Sequence, residues 1–227
     1  PTSPSVDNSL PKALVFSAKD GSDGAELWAS GGTEAKTRQV KNINGSGGDS
    51  SPEDFVRMGE QIFFQAKTAD DGIELWKTDL TTGGTTLVKD INSGTGKSST
   101  PEDPVVLDGT LYFAATDGTN GRELWKSDGT KGGTELVKDI NPGGSSFRDY
   151  PITVFDGALY FEAKDGSHGR ELWKSDGTES GTERVTDLNS DGGHSLPMAW
   201  SGLTAFNGEL YFNATNGTDG IELWKTD

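Results

Sequence analysis

The chain has 227 residues, no cysteine and a formal net charge of −16, with an isoelectric point near 4.4. The absence of thiols excludes a disulfide scaffold, a thiolate metal site and a cysteine nucleophile. The acidic balance opposes nucleic acid and anionic membranes, whose phosphates must be met by cations. No apolar run nears the roughly 20 residues that span a bilayer.

Residues 1–10 lack the basic start and apolar stretch of a secretory leader. Hydrophobic residues make up only 31% of the chain, yet its 32 glycines sit at fixed offsets between short aromatic and β-branched runs. That pattern predicts a folded, loop-rich domain rather than a disordered one. The offsets come from repetition. Glu-Leu-Trp begins at Glu26, Glu74, Glu123, Glu171 and Glu222, at spacings of 48, 49, 48 and 51 residues. A period this long means one supersecondary unit repeated.

The first unit carries only a degenerate inner strand near Asn8–Leu10, followed by an apolar run and the loop Asp20 to Gly24. The second has a loose hairpin signal at Met58-Gly59-Glu60. The third is the clearest. Val105-Val106-Leu107 (strand A) leads through Asp108-Gly109 into Leu111 to Ala115 (strand B). Asp-Gly between apolar runs is a hairpin signal, because both central positions of a type I′ turn need positive φ; Asp156-Gly157 and Asn207-Gly208 repeat it. A loop, Asp117 to Gly121, precedes strand C at Glu123-Leu124-Trp125-Lys126. Ser127-Asp128-Gly129-Thr130 then turns the chain into strand D, Glu135 to Ile140.

Four short strands in about 48 residues, without helical periodicity, predict an all-β fold. The expectation is one domain over 1–227, a five-bladed β-propeller of four-stranded antiparallel blades with strand A innermost and both terminal blades incomplete. Five B, five C, four D and four A strands are expected. Residues Pro4 to Asn8 are the candidate strand for closing the ring.

Glu123 to Ile140, Glu-Leu-Trp-Lys-Ser-Asp-Gly-Thr followed by Gly-Thr-Glu-Leu-Val-Lys-Asp-Ile, resembles the bacterial ELWxxDGT repeat family. The resemblance implies a secreted or cell-surface protein. It departs from the pattern at Ala29 to Thr33 and at Thr78 to Thr81. In architecture alone the chain is similar to five-bladed tachylectin-type lectins, and fold does not fix function.

Alternating strand directions place the B–C loops and D–A connections on one face. The candidate ligand-binding residues there are Asp20, Asp23, Asp70, Asp71, Asp117, Asn120, Asp165, His168, Asn216 and Asp219, with Tyr150, His194 and Trp200 in the D–A connections. Such groups can hydrogen-bond sugar hydroxyls or offer oxygens to Ca²⁺, although no loop has the spacing of an EF-hand and no cofactor is required. The Glu of Glu-Leu-Trp is expected to accept hydrogen bonds from a neighbouring blade or to pair with Lys89 or Lys138, and the repeated Trp to fill inter-blade core.

Five equivalent Glu do not make a catalytic dyad, which needs carboxylates in different environments, so no enzyme is expected. The expectation is a monomeric, multivalent carbohydrate-binding module whose partners are glycans or cell-surface glycoconjugates. The alternative is a protein-binding or adhesive module.

Overall fold

The computed structural model describes residues 12–45, 47–148, 151–189, 191–196 and 202–226. Their strands form five antiparallel sheets. Sheet 1 holds β1 (Leu14–Ala18), β2 (Glu26–Ser30) and β3 (Thr37–Lys41). Sheet 2 holds β4 (Glu53–Met58), β5 (Gln61–Thr68), β6 (Gly72–Thr78) and β7 (Thr86–Lys89), and sheet 3 holds β8 (Glu102–Leu107), β9 (Thr110–Thr116), β10 (Arg122–Ser127) and β11 (Glu135–Lys138). Sheet 4 comprises β12 (Thr153–Phe155), β13 (Ala158–Ala163), β14 (Glu171–Ser175) and β15 (Glu183–Arg184), and sheet 5 comprises β16 (Thr204–Phe206), β17 (Glu209–Ala214) and β18 (Glu222–Thr226). These are the expected five B, five C, four D and four A strands. The first A strand and the proposed closing segment lie outside the described residues. In sheet 1 a short 3₁₀ turn, Glu34–Lys36, precedes β3, and the β2–β3 register shifts between Leu27 and Trp28.

The A–B turns follow from their residues. Asp108 and Gly109 take φ of 49° and 76°, and Asp156-Gly157 and Asn207-Gly208 match them. Strand A lies inside: β4 packs beside β8, and β8 beside β12.

Alternation along strand C gives each sheet a Trp face and a Leu face. Between sheets 2 and 3, Phe63, Leu75 and Val88 meet Leu111, Phe113 and Trp125. The same Leu-face-to-Trp-face contact joins sheets 1 and 2, 3 and 4, and 4 and 5. The expectation of inter-blade core holds for Trp76, Trp125 and Trp173, which are buried.

The C–D turn is built identically in sheets 2, 3 and 4. Asp128 Oδ1 accepts from Thr130 N (2.8 Å) and Thr130 Oγ1 (2.7 Å), and Ser127 Oγ meets Thr134 Oγ1 at 2.7 Å. The carboxylate thereby satisfies turn amides that pairing leaves open. Hydrogen bonds from Thr130 hold the Asp128 carboxyl below its ordinary value; Asp79 and Asp176 behave alike.

The D-strand lysines cross to the next sheet. Lys41 Nζ donates to Thr85 O (2.7 Å), Lys89 Nζ to Thr134 O (2.6 Å) and Lys138 Nζ to Thr182 O (2.7 Å). Lys89 also lies over the Trp125 ring, 5.7 Å from its centroid. Lys89 and Lys138 are therefore inter-sheet ties and not partners of the Glu-Leu-Trp carboxylates, which corrects that expectation.

Candidate functional site

The buried carboxylates instead fasten sheets 1 to 4 each to its own D–A connection. Glu123 Oε2 accepts from Ser146 Oγ (2.5 Å) and Ile140 N (3.0 Å), and Oε1 accepts from Ser146 N (3.0 Å). Glu74 makes the same three bonds with Ser99 and Ile91. Glu26 bonds Ser50 and Ile43 N, and Glu171 bonds Ser195 and Thr186. Burial pushes Glu74 and Glu123 up to about 7, against the pull of their Ser and backbone donors. Glu171 is raised for the same reason. The serines, 23 to 25 residues downstream of their Glu, were not singled out in the sequence. Their nearly constant offset from each Glu was the signal that could have found them.

This latch positions the loop face. Asp20 Oδ1 accepts from Ser22 N (2.8 Å) and Asp23 N (2.9 Å). Asp117 Oδ1 accepts from Thr119 N and Asn120 N, both at 2.8 Å, and its Oδ2 accepts from Asn120 Nδ2 at 2.8 Å. Asp165 takes Ser167 N (3.0 Å) and His168 N (2.8 Å), and Asn216 Oδ1 takes Thr218 N and Asp219 N, both at 3.0 Å. Asn216 Nδ2 then reaches Asp219 at 2.7 Å. These are one loop built four times.

Hydrogen bonds from Asp23 and Ser22 lower the Asp20 carboxyl. In Asp117 and Asp165 burial acts to raise it, but the loop amides and their neighbours together outweigh burial. Sheet 2 has a shorter version, in which Thr68 Oγ1 receives Asp71 N (2.9 Å) and Asp70 O receives Gly96 N (2.7 Å). The loops of sheets 1 to 4 also rest on their own D–A connections. A Cβ at Gly169 would lie 1.9 Å from Gly193 O, so only glycine fits there.

His194 is a structural acceptor. Its Nδ1 takes Arg170 N at 3.0 Å, the role that Ser98 Oγ plays for Ile73 N and Ser145 Oγ for Arg122 N. Burial, then the charges of Arg170, Arg148 and Lys164, lower its pKa, which suits a neutral ring accepting at Nδ1. His168 Nδ1 sits 2.9 Å from Asp165 Oδ2, while Arg184 bridges to Asp187 at 3.1 Å. Tyr150 and Trp200 lie outside the described residues. Among the described residues, no group of three or more His, Cys, Asp or Glu converges as a metal ligand set.

The structure therefore turns Asp20, Asp117, Asp165 and Asn216 onto the amides of their own loops. No protein-family model matches the chain, and no curated protein matches it. Among solved structures it is similar to a puromycin hydrolase, at 17% identity and a TM-score of 0.55, over 90% of this chain and 31% of that one. It is also similar to a prolyl endopeptidase, at 15% identity and 0.54, over 100% and 32%. TolB from Acinetobacter baumannii aligns at 14% identity and 0.47, over 95% and 49%. The chain spans about a third of the length of the hydrolase and the endopeptidase. At these identities the likeness is one of fold: all-β, propeller-like, built from sheets of three or four antiparallel strands.

Proposed function

We propose that this chain is a non-catalytic recognition module, a run of five β-propeller blades whose loop face meets a protein surface. The observation that carries this reading is how the loop acceptors are used. Asp20, Asp117, Asp165 and Asn216 each direct an acceptor oxygen at their own loop amides. Two residues on, Ser22, Thr119, Ser167 and Thr218 each place a short hydroxyl residue at an exposed tip. A small-ligand site wants free polar groups converging in a concavity. Short hydroxyl tips over a glycine-rich base are shallow, and they suit a broad protein contact with much polar rim. The resemblance to the ELWxxDGT repeats supports placing the module on a bacterial surface or in secretion.

The repetition itself favours a second reading, multivalent carbohydrate binding, because weak equivalent sites gain avidity on one surface. A glycan array, run with and without EDTA, separates the two. Protein recognition predicts silence on the array together with saturable binding to deglycosylated cell-surface protein, weakened when Thr119→Arg and Ser167→Arg are combined. Hapten-inhibited array binding lost in the same double variant would install the sugar reading instead.

A further inference from the structure

Every contact between sheets has a direction: the Leu face of one receives the Trp face of the next. Four such contacts leave two faces over, the Leu face of sheet 5 and the Trp face of sheet 1. Both are open. Leu223 is 74% exposed where its counterparts Leu124 and Leu172 are at 0%, and Phe206 and Ile221 beside it are 60% and 57% exposed. Leu14 is 69% exposed where Leu111, Leu159 and Leu210 are at 0%. A groove of about 470 Å³, lined by Thr204, Phe206, Tyr211, Asn213 and Leu223, occupies the sheet 5 face.

The finer features of the repeated contact are also split between these two faces. At two of the four contacts, those of sheets 2–3 and 3–4, an aromatic tip from strand B and a lysine from strand C of one sheet seat on the turn glycine of the next. Phe63 comes so close to Gly129 that a Cβ there would lie 2.9 Å from its ring, and Lys77 Nζ donates to Gly129 O at 2.9 Å. Tyr112 and Lys126 do the same at Gly177, with a hypothetical Cβ 2.0 Å from the Tyr112 hydroxyl and a lysine bond of 3.3 Å. Sheet 5 carries the matching pair, Tyr211 and Lys225. Sheet 1 carries the matching glycine, Gly32, at φ of 86° with nothing within 4 Å of where a Cβ would stand.

We propose that a second copy of this chain docks its sheet 1 onto sheet 5 of the first, head to tail. Leu14, Phe16 and Trp28 then cover Leu223, Ile221 and Phe206; Tyr211 seats on the partner's Gly32; and Lys225, held by Glu209 in the single chain, turns to that glycine's carbonyl. The occupant follows from continuity, because the chain already makes the Leu-face-to-Trp-face contact four times and the aromatic–lysine–glycine seat twice. A contact between unlike faces leaves one of each open on the pair, so growth continues until a ring closes. The inference uses no ligand of the loop face and stands or falls separately from it.

Sedimentation equilibrium across micromolar to millimolar concentrations tests it, with Leu223→Lys blocking one face and Leu14→Lys the other. Both positions are exposed, so both variants should keep the wild-type near-UV circular dichroism; Phe206→Lys is a second block of the sheet 5 face. The wild type is expected to associate reversibly. Each variant alone should weaken that association by more than about tenfold. An equimolar mixture of the two should form a 1:1 species of twice the 24.0 kDa chain mass and go no further. A wild type that stays monomeric throughout, a single variant that still associates, or a mixture that does not pair would each overturn the proposal.

Discussion

Glu123 shows how one buried side chain holds a sheet to the segment that follows it. Its two oxygens meet three donors, Ser146 Oγ, Ser146 N and Ile140 N, none of which has water as a ready substitute. Glu123→Ala leaves Ile140 N unmet and leaves Ser146 N and Oγ only the Arg122 carbonyl, at 3.1 and 3.2 Å, and a buried donor without a partner costs about 1–3 kcal/mol. The expected loss is about 3–5 kcal/mol, read by urea denaturation with unchanged m-value. Glu123→Gln keeps the shape and one acceptor, but its amide nitrogen faces Ser146 N. It should cost about 1–3 kcal/mol, clearly less than alanine. Equal losses for the two variants would mean that cavity formation, not donor satisfaction, sets the penalty. The Glu was conspicuous in the sequence because it repeats within a rigid tripeptide. Its serine was not, because a lone Ser among Gly, Asn and Asp carries no local signal and the pairing is made across a turn of the chain.

Among elements, the strands and hairpins were legible because their chemistry is local. Asp108-Gly109 needs only its own φ values to declare a turn, and Ser-Asp-Gly-Thr needs only its own hydroxyl and carboxylate. Long-range partners were not legible. Lys89 stands four residues after Thr85 in its own sheet yet bonds Thr134 of the next, a choice made by sheet packing alone. The state of the loop carboxylates was not legible for the same reason: residue type shows acceptor capacity, not whether loop amides already fill it. The turn glycines offer a test. Gly177→Ala combines a positive φ with a collision against Tyr112, whereas Gly32→Ala meets the φ penalty in open space. Gly32→Ala should cost about 1–2 kcal/mol, the left-handed strain of one residue. Gly177→Ala should cost about 1–3 kcal/mol more, the usual range for forced overpacking. Thermal melts of the two variants in dilute solution measure the difference. If they proved equally stable, the tip of Tyr112 would not be a fixed part of the inter-sheet contact.

For the whole molecule, two sets of carboxyl groups with shifted pKa have effects on stability that run in opposite directions with pH. Burial raises Glu74 and Glu123 to about 7, and it raises Glu171 and Glu162 as well, the last against the attraction of Arg170. An unfolded glutamate titrates near 4.5. Between about 4.5 and 7 the native state therefore holds more protons than the unfolded chain, and stability falls as pH rises through that window. Asp20, Asp79, Asp117, Asp128, Asp165 and Asp176 sit below the ordinary 3.8. Their contribution is intact above 3.8 and disappears as pH falls further. The two trends place the stability maximum near pH 4–5, close to the isoelectric point, although colloidal solubility is lowest there. General charge repulsion at −16 pushes the same way, so the wild-type profile alone does not isolate the glutamates. The Glu123→Gln variant does, because it removes one titrating latch while changing the net charge by a single unit. Calorimetric melts from pH 3.5 to 8.5 should show the wild-type midpoint falling by on the order of 5 °C or more between pH 5 and 8. The slope should be visibly shallower in Glu123→Gln. A variant that parallels the wild type across that window would mean that Glu123 stays ionised in the folded protein and that its three donors outweigh its burial.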